Sequence, residues 1–585
     1  MNTLLKHLFG LWLLWILLAT LLGWLGIFYT QMFWIFLGSS FFWMLKNHLK
    51  TFTKVLHPSL HTFIFWGFIS FFILVNTFTF FQPQTLFNGR DQGSLSQASY
   101  FLSKYASFSF PLEEAQSFFS TYGEGKALNF PGFFYDATGN LITQFPHPTI
   151  AWYASLLSLG IPSPYHIMTG NALTLLLFSF AFWKILLHFT NKKIASIFTA
   201  LVLTIFPLWW FSRFSLTENV MLASLWITLF FLLNFTQKPS PQKLFFLFLS
   251  LSLLSIIRVE GIFFAFLILI SLFFFPLIQK FLREKILFRF FIPSLIFLLF
   301  FSLAVFNNIP FYSTVAKAFL ETLGFIEASP SQETTVSLSL LELWKILFLY
   351  GIGSLALLGL FSFIFIFFKK NTPKRQSLFL ILGILSPGFI YFLIPFISPD
   401  HPWMLRRFLF SAIPTLALII AYAFFIFIQV KKKKQRMMLY GILFILFLSQ
   451  IIPVFYFFPI SQDSSLLQQT IAFSQNFTQK DIILVDKNVT GNGFVMIPSL
   501  LQMKGVSSAY FFNAEDFNRA DFSHFERVFF LVEKDSIDTY STISDNEGLV
   551  VEFSGSRFTD AITDTSLSFP NFSSYSISNR LFLVQ

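Results

Sequence analysis

Cysteine is absent from this 585-residue chain, and charge is scarce: Asp, Glu, Lys and Arg together make up 11% of it. Without thiols there is no disulfide framework, no thiol catalysis and no cysteine-ligated metal. Soluble domains carry about 25% charged residues, so a cytosolic globular enzyme is excluded, as is a disordered regulator, which needs high polarity. Acidic residues are scarcer than basic ones, 28 against 39, for a formal net charge of +11. What fills the chain instead is apolar: 55% hydrophobic and 21% aromatic residues, with 91 phenylalanines. One soluble core of this size cannot hide so much apolar surface, which leaves lipid as its solvent.

A helix crossing the hydrocarbon needs about 20 apolar residues. Runs of that kind lie near 8–28, 30–45, 60–81, 166–189, 194–211, 219–235, 244–257, 261–279, 288–306, 343–368, 377–397, 408–430 and 437–458. They predict a mainly α, polytopic membrane bundle of about thirteen transmembrane helices. The first run lacks a small-residue cleavage site and reads as a retained anchor rather than a signal peptide. Lysines and arginines gather at every second boundary, as at Lys46/Lys50/Lys54, Lys192/Lys193, Lys280/Arg283/Lys285, Lys369/Lys370 and Lys431–Lys434. The positive-inside rule then places the N-terminus in the cytoplasm and the C-terminus outside the cell membrane. Acidic residues agree: before the last span only Glu284 falls on the inner side, while Asp91, Glu113, Glu218, Glu260, Glu342 and Asp400 fall outside. Residues 1–458 carry 31 basic and 13 acidic side chains, a net of +18; residues 459–585 carry 8 and 15, a net of −7. The positive excess is therefore a topology signal, and no nucleic-acid partner is expected.

Two domains follow: a membrane unit over 1–458, with a long first outer loop at 82–165, and an extracytoplasmic α/β domain over 459–585. In the tail, apolar β-rich runs at 481–486, 508–512, 527–532 and 548–553 alternate with helical patterns at 464–476 and 494–504.

Ionisable residues beside membrane spans are costly and default to functional hypotheses. Asp91 opens a helical pattern, Leu95 to Tyr105, just above the membrane. It is either a helix N-cap or a general base that takes a proton from a nucleophile. Phe130–Asp136 and Gln144–Pro148 are aromatic and proline-punctuated, which predicts short helices lying at the interface, continued over 149–159. His147, between two prolines, is a structural residue or an acid/base group. Arg213 and Glu218 share the next outer turn, as a local ion pair or as part of a site, and Arg258 with Glu260 repeats the theme. The last outer turn, Asp400-His401-Pro402-Trp403-Met404-Leu405-Arg406-Arg407-Phe408, holds two arginines. They either snorkel as interfacial anchors or bind phosphate, for which guanidinium geometry is suited. All these candidates fall on one membrane face.

The order of these features resembles the polytopic glycosyltransferases of the GT-C fold that use lipid-phosphate sugar donors, such as protein O-mannosyltransferases and aminoarabinose transferases. Arg90-Asp91-Gln92 followed by Ser99-Tyr100-Phe101-Leu102 is similar to their acidic motif in the first outer loop. Ser212-Arg213 with Glu218 is similar to the second outer motif, and Arg406-Arg407-Phe408 before Ala412-Ile413-Pro414 to the arginine-aromatic-proline pattern of late spans. Gln92 departs from it, standing where many members have a second acid. The resemblance implies inverting transfer of a hexosyl or pentosyl group from a polyprenyl-phosphate donor to a glycan, lipid or protein acceptor on the outer face. Asp91 would be the base, and Arg406, Arg407 and His401 would bind the donor phosphate. Glu218 would orient the acceptor or hold a divalent metal, a cofactor the resemblance leaves open. The alternative is a membrane transporter or lipid flippase, which would place its charges near the bilayer midplane.

Overall fold

In lipid every backbone amide must be satisfied within its own segment, so long apolar runs fold as helices and break only where a residue cannot continue one. A computed structural model describes residues 2–584 except 57–59, 80–90, 158–164, 275–285, 323–324, 326–338, 370–373, 394–399, 431–432, 464, 491–495, 541–547 and 559–567. The first half carries α1 (Asn2–Trp24), α2 (Gln31–Leu56), α3 (Leu60–Leu74), α4 (Asp91–Tyr105), α5 (Glu113–Tyr122), α6 (His147–Leu157), α7 (Tyr165–Phe189), α8 (Lys192–Thr204), α9 (Phe206–Phe211), α10 (Thr217–Gln237), α11 (Pro241–Ile257) and α12 (Val259–Leu272). There follow α13 (Ile286–Asn307), α14 (Ile309–Thr322), α15 (Leu340–Leu349), α16 (Ile352–Phe368), α17 (Arg375–Leu385), α18 (Ala412–Val430), α19 (Lys433–Phe457), α20 (Leu466–Ser474) and α21 (Met496–Met503). Two short 3₁₀ segments follow α17: Ser386–Phe392, within the run 377–397, and Trp403–Phe408, before α18.

By length and composition, six of the described helices suffice to cross a bilayer, or eight if each sharply bent pair is one span; 62–77, 241–257 and 259–272 are apolar but shorter. This measure does not reach the expected thirteen among the described residues: the runs 60–81 and 261–279 extend beyond them, and others are broken. The run 194–211 splits at Ile205, since Pro207 at the start of α9 has no N–H to return to the preceding turn. The run 343–368 bends by 100° between α15 and α16. Gly351 sits there at φ +75°, and a side chain on it would lie 2.6 Å from the Ser449 carbonyl oxygen and the Gln450 amide.

A correction concerns the loop 82–165. Phe130–Asp136 holds a strand rather than a short helix: β3 (Phe133–Tyr135) joins β1 (Ser109–Phe110), β2 (Gly125–Lys126) and β4 (Leu141–Thr143) in a small antiparallel sheet of order β1-β4-β3-β2, while the short helix expected over 149–159 is present as α6. The β3–β4 hairpin turns on Asp136, whose Oδ1 accepts from the Thr138 and Asn140 amides at 2.9 and 3.0 Å. α6 is buried along His147–Leu156 among α1, α4, α7 and α11.

The expected tail strands are present as β5 (Asp481–Asp486), β6 (Ser507–Phe511), β7 (Arg527–Glu533) and β8 (Leu549–Phe558), joined by β9 (Phe572–Leu583). The order is β6-β5-β7-β9-β8; β5 runs parallel to β6 and β7, and the pairs with β9 are antiparallel. β5 is buried along its whole length, which is why it reads as a solid apolar run. The sheet meets the first loop where Tyr510 and Asn129 exchange hydrogen bonds of 3.1 and 2.6 Å.

One buried acid gives this sheet a pH dependence. Burial pushes the Asp463 carboxyl up to about 6 from its ordinary 3.8, while the Tyr575 hydroxyl donates to it at 2.7 Å. A raised folded value means the folded state holds the proton more tightly. The associated stability is complete below pH ~4 and is lost as pH rises through about 6, by about 3 kcal/mol. Asn tolerates the left-handed backbone at this position (φ 53°). Asp463→Asn is therefore expected to flatten the fall in sheet unfolding temperature between pH 4 and 7, measured by circular dichroism.

Candidate active site

Three carboxylates open three helices: Asp91 in the first turn of α4, Glu218 in that of α10 and Glu260 in that of α12. A helix N-terminus favours a negative charge, so these positions hold acids at little cost in an apolar setting. Three arginines face them. Arg258 occupies the extended residue between α11 and α12 (φ −155°, ψ 160°), and Arg406 and Arg407 end the Trp403–Phe408 segment.

Together they line a cavity of about 450 Å³, with Thr217 and Tyr391 as neutral polar groups and Leu95, Phe145, Pro146, Phe263 and Phe311 among its apolar walls. Arg406 donates from Nη1 to Asp91 Oδ2, and its Nε lies 3.7 Å from Glu218 Oε1. Arg258 reaches Glu218 Oε1 at 3.0 Å and grips Glu260 with two bonds of 3.1 and 3.0 Å. Thr217 accepts from Arg258 at 2.6 Å and donates to Glu218 at 3.2 Å. Tyr391 donates to Glu260 Oε1 at 3.2 Å, and Arg407 approaches the same oxygen at 3.5 Å.

Exposure separates these groups by what they can do. The Glu218 side chain is 1% exposed between two guanidinium groups, so it acts on the arginines rather than on a ligand. Asp91 is 38% exposed and Arg407 31%, which makes them the open carboxylate and the open cation of the cavity. The carboxylates already hold guanidinium partners, and among the described residues no group of three or more His, Asp and Glu is placed to hold a metal ion. The donor set therefore does not fit a resident divalent ion.

Other sequence candidates lie elsewhere. His401 does not line the cavity; it is buried, with Nδ1 3.0 Å from the Tyr350 hydroxyl. Asp400 is buried beside it and is also absent from the lining. His147 accepts from Trp24 Nε1 at 2.8 Å and stacks on Phe108 at 4.0 Å, a packing role. Arg213 makes no pair with Glu218: its guanidinium lies 3.8 Å from the Trp209 ring centre and donates to Asn76 Oδ1 at 3.3 Å. Arg90 falls outside the described residues. Thr217 and Tyr391 were not singled out in the sequence; the Ser386-Pro387-Gly388 break within 377–397 was the available signal for Tyr391.

The turn that presents Glu260 depends on Gly261. A Cβ there would sit 1.9 Å from the carbonyl oxygen of Leu254, and backbone cannot step aside cheaply. Gly261→Ala is expected to force α12 off α11, costing about 1–3 kcal/mol of stability and weakening any ligand held by the cavity, as a lowered unfolding temperature would report.

No family model and no curated protein sequence matches the chain. Solved structures do. The crystal structure of ArnT, an aminoarabinose transferase from Cupriavidus metallidurans, bound to undecaprenyl phosphate, is similar over 89% of this chain and 98% of that one, with a TM-score of 0.50 at 10% identity. The chain has the GT-C fold. The apo form of the same protein gives a TM-score of 0.49 at 12% identity, over 88% and 98% of the two chains. An oligosaccharyltransferase from Archaeoglobus fulgidus gives 0.45 at 10%, over 82% of this chain and 70% of that one. At such identities the likeness is one of fold, and the GT-C resemblance carried by motif order is borne out at that level. In this GT-C chain the start of α4, the α9–α10 turn and the arginine turn, far apart in sequence, close around one cavity.

Proposed function

We propose that the protein is a membrane glycosyltransferase that moves a sugar from a polyprenyl-phosphate donor to an acceptor hydroxyl on the outer face. The observation that carries this reading is the convergence of Asp91, Arg406 and Arg407 on one cavity with aromatic walls. Such a cavity suits an amphiphile with an anionic head, and undecaprenyl phosphate is the molecule bound to the GT-C neighbour ArnT.

In the reaction the acceptor oxygen attacks the anomeric carbon while Asp91 takes its proton. The bond between that carbon and the phosphate oxygen breaks on the opposite side, and the lipid phosphate leaves with the electron pair, so the configuration inverts. Negative charge grows on the departing phosphate, and cations placed beforehand stabilise that state more than the ground state. Arg407 is the more accessible guanidinium; Arg406 must exchange Asp91 for phosphate, which frees the carboxylate for its work as base. Glu218 holds Arg258 and Arg406 in place. Residues 1–458 form the membrane unit with a cytoplasmic N-terminus, and 459–585 stand outside the membrane.

The test is consumption of donor. Purified protein incubated with polyprenyl-phosphate sugars and membrane acceptors from its own host is expected to release free polyprenyl phosphate. Absence of release with every such sugar pool would reject the reading.

A further inference from the structure

The helix that carries Asp91 is gripped from three directions. From the α9–α10 turn, Ser215 donates to the Gln92 carbonyl oxygen at 2.7 Å and lies 2.7 Å from the Ser96 hydroxyl. From the loop, the Pro131 carbonyl accepts from Ser94 at 2.8 Å. The third grip comes from the tail, about 400 residues away in sequence.

There Ser499 donates to Gln97 Oε1 at 3.2 Å, and the Gln97 amide donates to Gln502 Oε1. Gln502 in turn donates to Glu114 Oε1 at 2.9 Å and to the Ser508 carbonyl at 2.7 Å. All five residues are buried. Both ends of the Gln97 amide are thus satisfied by α21, and α21 is tied through Gln502 to α5 and β6. Gln97 stands about 9 Å along the helix from Asp91. Bonds of fixed direction in a dry setting set the rotation of a helix as well as its distance from a neighbour.

We infer that Gln502 and Gln97 are positioning residues of the transfer reaction: through them α21 fixes the height and rotation of α4, and with it the direction in which the Asp91 carboxylate faces the cavity. This rests on the reading of Asp91 as the base. It gives the tail sheet a role in turnover without contact with the substrate. Displacing a reacting group by about 1 Å can cost about 100-fold in rate, so a loosened α4 slows transfer while the phosphate site, built on other segments, remains.

The test uses full-length protein in lipid nanodiscs, with polyprenyl phosphate as the binding probe. Gln502→Met is expected to lower turnover per bound-donor site about 10- to 100-fold with polyprenyl phosphate affinity changed less than about twofold. Ser499→Ala, which removes one hydroxyl, is expected to move turnover in the same direction by a smaller factor. Gln97→Met decides between positioning and bulk stability. It unties α4 while Gln502 keeps its bonds to Glu114 and the Ser508 carbonyl, whereas Gln502→Met strands both buried acceptors, so the unfolding temperature is expected to fall less in Gln97→Met while turnover per site falls as far. Turnover losses that follow unfolding temperature across Gln97→Met, Ser499→Ala and Gln502→Met, or normal turnover per site in Gln502→Met and Ser499→Ala, would overturn the inference. Normal turnover in Asp91→Asn would remove its basis as well, and that outcome is separate because it leaves the glutamine variants' effects on rate unexplained.

Discussion

Asp91→Asn protein is expected to bind polyprenyl phosphate and to transfer sugar about 10²- to 10⁴-fold more slowly, the range that a positioned general base supplies. The substitution keeps the shape of the side chain and removes only its capacity to accept a proton at neutral pH. Folding is not at risk: Asp91 is the most exposed acid of the cavity, and Arg406 retains Glu218 at 3.7 Å when its first partner is gone. Affinity for the donor lipid is expected to stay the same or rise, because the phosphate no longer competes with a carboxylate for Arg406. The measurements are polyprenyl phosphate binding, unfolding temperature and single-turnover transfer on one preparation. Near-normal transfer would sink the assignment of the base. Loss of binding along with transfer would mean that Asp91 holds the ligand rather than the proton.

The acids and arginines of this cavity were legible in the sequence because charge is scarce there. In an 11% charged chain, a carboxylate at a helix start beside a span stands out, and its sidedness follows from the lysines. Which of them share a cavity was not legible. Arg213 and Arg406 look alike in sequence, each beside an aromatic turn, yet Arg213 packs on Trp209 while Arg406 reaches Asp91. The difference lies in the rotation of short segments, which long-range packing sets. His401 was misplaced for the same reason. Thr217 and Tyr391 carry no charge and vanish among apolar neighbours. Phe130–Asp136 was read as an interfacial helix because its strand, Phe133–Tyr135, is three residues long, too short for alternation to register. β9 was missed because its alternation, Tyr575-Ser576-Ile577-Ser578, is broken on either side by Ser573-Ser574 and Asn579-Arg580. The breaks at Ile205 and Gly351 likewise lie within runs whose hydrophobicity is continuous.

Among the three arginines, the informative substitutions are those that leave no acid stranded. Arg258→Ala would strip the nearest cation from Glu218, 1% exposed, and the bidentate partner from Glu260. An uncompensated buried charge costs about 3–5 kcal/mol, so that variant would report on folding. Arg406→Ala leaves Glu218 its 3.0 Å contact with Arg258, and Asp91 is open to water. Arg407→Ala removes a single 3.5 Å contact from Glu260, which keeps both bonds to Arg258. Both proteins are expected to fold. Arg407, the accessible cation, is expected to act mainly in binding, so its loss weakens polyprenyl phosphate affinity about tenfold or more. Arg406 lies between the base and the leaving phosphate. Its loss is expected to cost about 10²- to 10³-fold in turnover, about 3 kcal/mol of barrier, with a smaller effect on affinity. Isothermal titration with polyprenyl phosphate and single-turnover transfer separate the two effects. If neither substitution weakens donor binding, the phosphate rests instead on Arg258, the remaining guanidinium of the cavity, since Arg213 is enclosed by Trp209, Trp210 and Asn76.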